Sequence, residues 1–240
     1  MDRRRVMLGL ASCLAPGGPP VAAEGRSMVG FTSGGAAIEV EWFPAGVGRG
    51  PAVLLLHGAD GLTFADGYRF AARVLAGAGY HVAFVHYLDR TGEQRVSYST
   101  LRQNFPLWAG TIRDAMTWLA KQPSADPDRL GVVGISLGAA LALEAGAADP
   151  RIKAIVDYFG PLPEGMAARK PRLPPTLILH GSADPIVPVA NAHKIEKLLQ
   201  QSGTPYEIKI YPGQGHAFFG PAQLDSANRA AEFLGRYLAA

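Results

Sequence analysis

The chain is nearly without cysteine: Cys13 is the only one in 240 residues. An intrachain disulfide is therefore excluded, and no Cys/His cluster has the spacing of a metal site. Charge is also sparse. Charged residues make up 18% of the chain, the formal net charge is +3, and the one basic run is Arg3-Arg4-Arg5. The remaining cations are scattered, without the aromatic-interleaved basic patch that nucleic-acid binders use. Beyond the N-terminus no apolar stretch reaches the length of a membrane span. The absences point away from a disulfide scaffold, a metal, a nucleic-acid partner and a stable membrane span.

What is present is a chain with 48% hydrophobic residues, long enough for one large domain with a substantial core. Residues 1–23 read as an address rather than as fold. Three arginines precede the short apolar run VMLGLASCLA, and Val21-Ala22-Ala23 follows as a small-residue cleavage site. The arginine pair suggests twin-arginine export, although Asp2 stands where Ser or Thr is usual. The competing reading is Leu10-Ala11-Ser12-Cys13 as a lipobox, with a lipid on Cys13. The expectation is an exported protein, periplasmic or secreted, with its domain over 24–240.

From residue 28 strand and helix patterns alternate. MVGFTS and AIEVEWFPA form two opening strands around Gly34-Gly35. AVLLLH (52–57), HVAFVHY (81–87), RLGVVGIS (129–136), RIKAIVDYFG (151–160), TLILHG (176–181) and YEIKIYPG (206–213) are strands, most of them continuous apolar runs. Helices are predicted over 66–78, 107–122, 137–147, 190–201 and 224–238, and 89–105 reads as polar and irregular. The alternation predicts an α/β fold with a mostly parallel sheet and helices on both faces. Ligands of such sheets sit beyond the carboxyl ends of the strands.

The residues at those ends carry chemistry. After 52–56 comes His57-Gly58-Ala59-Asp60-Gly61; GISLG places Ser136 between two glycines where a strand gives out. Gly181-Ser182-Ala183-Asp184-Pro185 follows the next-to-last strand and Gly213-Gln214-Gly215-His216 the last. Gly-x-Ser-x-Gly fits a turn that thrusts its serine outward, and Ser…Asp…His is the chain order of α/β-hydrolases. A serine hydroxyl is a weak nucleophile and needs a base to take its proton as it attacks. His216 suits that task, and Asp184 would orient the imidazole and stabilise its cation. The N–H groups of Leu137, at a helix N-terminus, and of Ala59 are the candidate oxyanion donors. Asp157, at another strand end, is the reserve acid. His57 reads as shaping its loop, His81, His86 and His180 as packed against apolar strands, and His193 as solvated.

These residues resemble the dienelactone hydrolase family. The likeness runs over most of 28–238 and is carried by VLLLHGADGL, YHVAFVHYLDRTG, DRLGVVGISLGAALAL, LILHGSADPIVP and YPGQGHAF. It implies a single-domain α/β-hydrolase fold without a large cap domain, and it supports Ser136, Asp184 and His216 with Ala59 and Leu137. Two departures stand out. Dienelactone-cleaving members carry a nucleophilic cysteine where this chain has Ser136, and a glutamate in the loop after the third strand, where Gly58 aligns. The resemblance thus implies a serine esterase acting on small esters, lactones or thioesters, with no cofactor. Tyr87, Trp108 and Tyr158 are candidate pocket linings. The same residues leave open amide or peptide hydrolysis, acyl transfer and, outside catalysis, a binding protein that keeps the fold.

Overall fold

Residues 52–56, AVLLL, send alternate side chains to opposite faces of a sheet, and both faces are covered. Leu54 and Leu56 join one apolar core, Val53 and Leu55 the other. A strand buried on both sides has no polar face to alternate with, which explains the unbroken apolar run. The structure, a computed structural model, describes residues 25–46 and 48–239. The expected export segment at 1–23, with Cys13, lies outside the described residues.

The strands are β1 (Ser27–Ser33), β2 (Ala36–Phe43), β3 (Gly50–Leu56), β4 (His81–Val85), β5 (Ala125–Ile135), β6 (Ile152–Tyr158), β7 (Thr176–Gly181) and β8 (Tyr206–Tyr211). They form one sheet in the order β1-β2-β4-β3-β5-β6-β7-β8. β1 and β2 pair antiparallel, β2 runs antiparallel to β4, and β3 to β8 are all parallel. The main helices are α1 (Ala65–Gly77), α2 (Tyr98–Leu119), α3 (Leu137–Ala148), α4 (Met166–Arg169), α5 (Ala190–Ser202) and α6 (Pro221–Tyr237). α2, α3 and α5 cover one face through Trp108, Ile112, Leu141 and Ile195. α1 and α6 cover the other through Ala72, Leu75, Phe233 and Leu234. This is the single α/β domain that the sequence pattern predicts.

Several boundaries shift by a few residues, as where β5 begins at Ala125 and α6 at Pro221, and in two places the kind of element changes. β4 stops at Val85, and residues 87–90 form a 3-10 turn instead of continuing the strand. The segment read as irregular up to 105 is helical from Tyr98. Pro106 suggests a helix boundary, because it has no N–H and crowds the preceding turn. The helix runs through it nonetheless, since Leu101 and Phe105 dock on the core one turn earlier. Among the described residues, no helix is long and apolar enough to cross a membrane.

Candidate active site

Ser136 stands between the last residue of β5 and the first of α3, with φ 54° and ψ −115°. That backbone region is costly for a residue with a Cβ and persists only where the surroundings enforce it. The enforcement is close packing. A Cβ on Gly138 would lie 2.4 Å from the Leu56 carbonyl oxygen and 2.6 Å from that of His57; one on Gly134 would lie 2.4 Å from the Gly138 carbonyl oxygen. The start of α3 is thus pressed onto the end of β3, and the chain between must turn sharply. The Ser136 N–H donates to the Tyr158 carbonyl at 2.9 Å, tying the turn to β6.

The acid and histidine loops are zipped to each other. Ala183 N–H donates to the Gln214 carbonyl at 3.0 Å, and Gly213 N–H to Ser182 Oγ at 2.9 Å. A side chain at Gly181 would strike the Gln214 and Gly215 carbonyl oxygens at 2.2 and 2.4 Å, so only glycine permits this approach. In that setting His216 Nε2 lies 2.8 Å from Ser136 Oγ, and His216 Nδ1 lies 2.7 Å from Asp184 Oδ2. A carboxylate only accepts, so Nδ1 carries the proton and Nε2 is free to accept one from the hydroxyl. The Asp184 side chain is fully buried. Its Oδ1 accepts the N–H groups of Ile186 (2.8 Å) and Val187 (2.9 Å), which leaves Oδ2 for the imidazole.

The loop after β3 closes the other side. A Cβ on Gly58 would lie 3.5 Å from that of Ser136. Gly58 N–H donates to Tyr68 Oη at 3.1 Å, and Tyr68 Oη–H donates to Asp60 Oδ1 at 2.7 Å. The Ala59 carbonyl accepts the Val96 N–H at 2.8 Å. Leu137 opens α3, so its N–H has no partner within the helix. Neither the Ala59 nor the Leu137 N–H donates to an acceptor among the described residues.

Two pocket expectations need correction. Tyr87 and Trp108 are wholly buried, so neither can line a surface that a substrate reaches. Tyr87 stacks on His57 at 4.1 Å and donates its hydroxyl to the His57 carbonyl at 2.9 Å. Trp108 packs edge-on against Tyr87 and donates Nε1–H to Thr91 Oγ1 at 3.0 Å. Both form the footing under the β3 loop. Tyr158 is half-buried, donates its hydroxyl to the Ser226 carbonyl and packs against Phe159 and Phe218. The Phe159 ring lies 4.7 Å from that of His216.

The other histidines fall where the sequence put them. His57 is buried, which holds its pKa down at about 4, and its Nδ1 meets the Gly58 carbonyl at 2.8 Å. His81 accepts the Ala45 N–H, His86 meets Glu41, and His193 is exposed beside Glu196. Asp157 is wholly buried, and that burial pushes its pKa up to about 7. Its Oδ1 accepts the Gly160 N–H; its Oδ2 has no partner among the described residues, and it makes no bond to His216. The part played by Tyr68 carried no sequence signal, because helix α1 alone decides which way its hydroxyl points.

A cavity of about 330 Å³ between Phe105, Arg113, Met116 and Glu144 lies toward the far end of α3 and touches none of these residues. Among the described residues, no group of three or more His, Cys, Asp or Glu side chains is placed to hold a metal ion.

A sequence profile of the dienelactone hydrolase family matches residues 40–235. A Methylorubrum extorquens protein, provisionally named as a carboxymethylenebutenolidase, is 32% identical over 103 residues. That match covers 39% of this chain and 35% of the relative, about a third of its length. The dienelactone hydrolase of Anabaena variabilis superposes with a TM-score of 0.71 at 26% identity, over 89% of this chain and 98% of that one. A dienelactone hydrolase-like promiscuous phosphotriesterase from metagenomic libraries superposes with a TM-score of 0.77 over the same shares. At 20% identity the second likeness is one of fold.

Proposed function

Because the chain belongs to the dienelactone hydrolase family, we propose that it is a serine hydrolase that cleaves small carboxylic esters, lactones or thioesters through an acyl-enzyme. The observation that carries this reading is the unbroken hydrogen-bond chain from Ser136 Oγ through His216 to Asp184, at 2.8 and 2.7 Å.

In the proposed reaction Ser136 Oγ attacks the substrate carbonyl carbon while its proton passes to His216 Nε2. The carbonyl π pair moves to oxygen, and the N–H groups of Ala59 and Leu137 receive that charge. Each such donor is worth roughly 3–4 kcal/mol of barrier. Collapse of the tetrahedral species expels the alcohol or thiol, which takes the proton from His216. Water then repeats the sequence on the acyl-Ser136, releases the acid and restores the hydroxyl. Asp184 keeps the imidazole in the required tautomer and stabilises its cation throughout.

Leu62, Ile186 and Phe219 stand exposed on the loops that carry Ala59, Asp184 and His216. Apolar side chains on these loops favour a substrate with an apolar flank. Dienelactone itself is disfavoured as substrate, since Ser136 and Gly58 replace the cysteine and glutamate of the enzymes that cleave it.

The test is intact mass after a fluorophosphonate probe, run with short-chain nitrophenyl ester turnover on wild type and Ser136→Ala. One adduct and turnover, both lost in the variant, are expected. No adduct on folded wild type would sink the reading and leave a binding role. Nitroanilide turnover exceeding that of the ester would move the assignment to amide hydrolysis. Ester product in place of acid on addition of alcohols would move it to acyl transfer. We further propose that residues 1–23 direct export. A mature mass that begins after Ala23 in the native host supports this, and one that retains Met1 rejects it.

A further inference from the structure

The next-to-last residue of β7, His180, is a second histidine that the proposed reaction does not use. His180 is wholly buried beside Asp184, and it makes no hydrogen bond to Ser136 or His216. Its Nε2 is 2.8 Å from the Val187 carbonyl oxygen and 3.5 Å from Asp184 Oδ2. A carbonyl oxygen only accepts, so Nε2 carries a proton. Burial lowers the His180 pKa, which favours the neutral ring with a bare Nδ1. That bare nitrogen has no partner among the described residues.

A buried acceptor left unpaired is a standing cost, and an apolar side chain of similar volume would not carry it. The histidine's gain is at its other nitrogen. Val187 is held through both of its flanking peptide groups: its carbonyl accepts His180 Nε2–H, while its N–H donates to Asp184 Oδ1 at 2.9 Å. Asp184 Oδ1 thereby rests on a backbone turn that is itself tied to the end of β7. The same Nε2 lies 3.5 Å from Oδ2, close enough for its N–H dipole to act on the oxygen that His216 Nδ1 bonds at 2.7 Å. The groups facing His180 within this cluster are Asp184 and, beyond it, His216; His193 acts on it from α5 at longer range.

We propose that His180 is a positioning residue for Asp184, fixing the carboxylate through the Val187 backbone so that Oδ2 meets His216 Nδ1. The proposal rests on the hydrolase reading above. It assigns the single histidine of LILHG to the working geometry rather than to packing.

Three proteins test it: wild type, His180→Leu and His180→Gln. Leucine fills the space without a donor. Glutamine places an amide N–H at nearly the position of Nε2 and reaches the same carbonyl. Misplacing a catalytic group by a fraction of an ångström to an ångström costs about 10- to 100-fold in rate. His180→Leu should therefore lower kcat by that factor at unchanged KM, with a melting temperature at or above that of wild type. His180→Gln should recover most of kcat. A second readout needs no turnover: the NMR resonance of the hydrogen-bonded His216 Nδ1 proton should move or broaden in the leucine variant and return in the glutamine one. Wild-type kcat in folded His180→Leu overturns the proposal. So does a kcat equally low in both variants with both melting early, which would make the residue a packing element. If wild type itself neither labels nor turns over, the hydrolase reading has failed instead, and the NMR shift alone decides the positioning role.

Discussion

Asp157 stands near the carboxyl end of β6 and Asp184 just past the carboxyl end of its parallel neighbour β7; both are buried, yet their surroundings differ. Asp184 lies three residues past β7, where the chain doubles back and turns two N–H groups onto Oδ1 and an imidazole onto Oδ2. Asp157 lies inside β6, where the N–H groups around it are occupied by the ladder; it receives the Gly160 N–H alone, and its pKa rises to about 7. A buried carboxylate can serve an imidazole only where several donors converge on it. A loop that turns back supplies such donors, whereas a strand spends its own on its neighbours.

The comparison can be broken most severely at its common target. Ser136→Ala should reduce kcat by about a million-fold, as the loss of a serine nucleophile does elsewhere. The fold should survive, because Ser136 contributes a small, partly exposed side chain. Ester turnover with far-UV circular dichroism measures both. Next, the acids should part. Asp184→Asn should cost about 10⁴-fold in kcat, since an amide leaves the imidazole in the wrong tautomer. Asp157→Asn should leave kcat at the wild-type level. A large loss in the second variant and none in the first would exchange their roles.

The third prediction concerns stability. An acid whose pKa is about 7 when folded and near 3.8 when unfolded binds more protons in the folded state between those values. Its contribution is present below the unfolded pKa and is lost as pH rises through the folded one, by roughly 4 kcal/mol at most. His57 acts with the opposite sign: its folded pKa of about 4 favours the folded state increasingly as pH rises toward 6.5. The two partly cancel in wild type, so the difference between proteins is the measurement. Asp157→Asn should gain stability over wild type as pH climbs from about 4 to 7, read by urea unfolding at pH 5 and pH 8. A constant difference would mean that Asp157 titrates as it does in water.

The smallest effect lies across the site. Tyr68 Oη accepts the Gly58 N–H and donates to Asp60, so Tyr68→Phe frees the loop that carries Ala59. A drop of about tenfold in kcat is expected, at a KM near that of wild type. Unchanged kcat would show that the loop is held without the Tyr68 hydroxyl, as through the bond from Val96 N–H to the Ala59 carbonyl.

Much of this architecture was legible from local pattern. The apolar runs marked the buried strands because strands covered on both faces have no polar side to show. The loops with Ser136, Asp184 and His216 were legible because turns and close backbone approaches demand glycine at fixed places. Tyr87 and Trp108 were misplaced for a related reason: an aromatic near a site looks alike in sequence whether it lines the opening or supports the floor. The helix through Pro106 was missed because the docking of Leu101 and Phe105 outweighed one lost hydrogen bond.

By itself, then, the sequence determined the α/β class, the order of strands and helices along the chain, and which side chains the strand ends would carry. Those properties follow from neighbours a few residues apart, where periodicity and turn chemistry act. Only the tertiary structure decided that His216 would meet Ser136 from 80 positions away, that Asp184 rather than Asp157 would face it, and that His180 and Tyr68 would brace the two sides of the site. Such contacts depend on helix rotation, strand register and the angle at which each loop leaves the sheet. Those are set by packing over the whole domain, and no short stretch of the chain contains them.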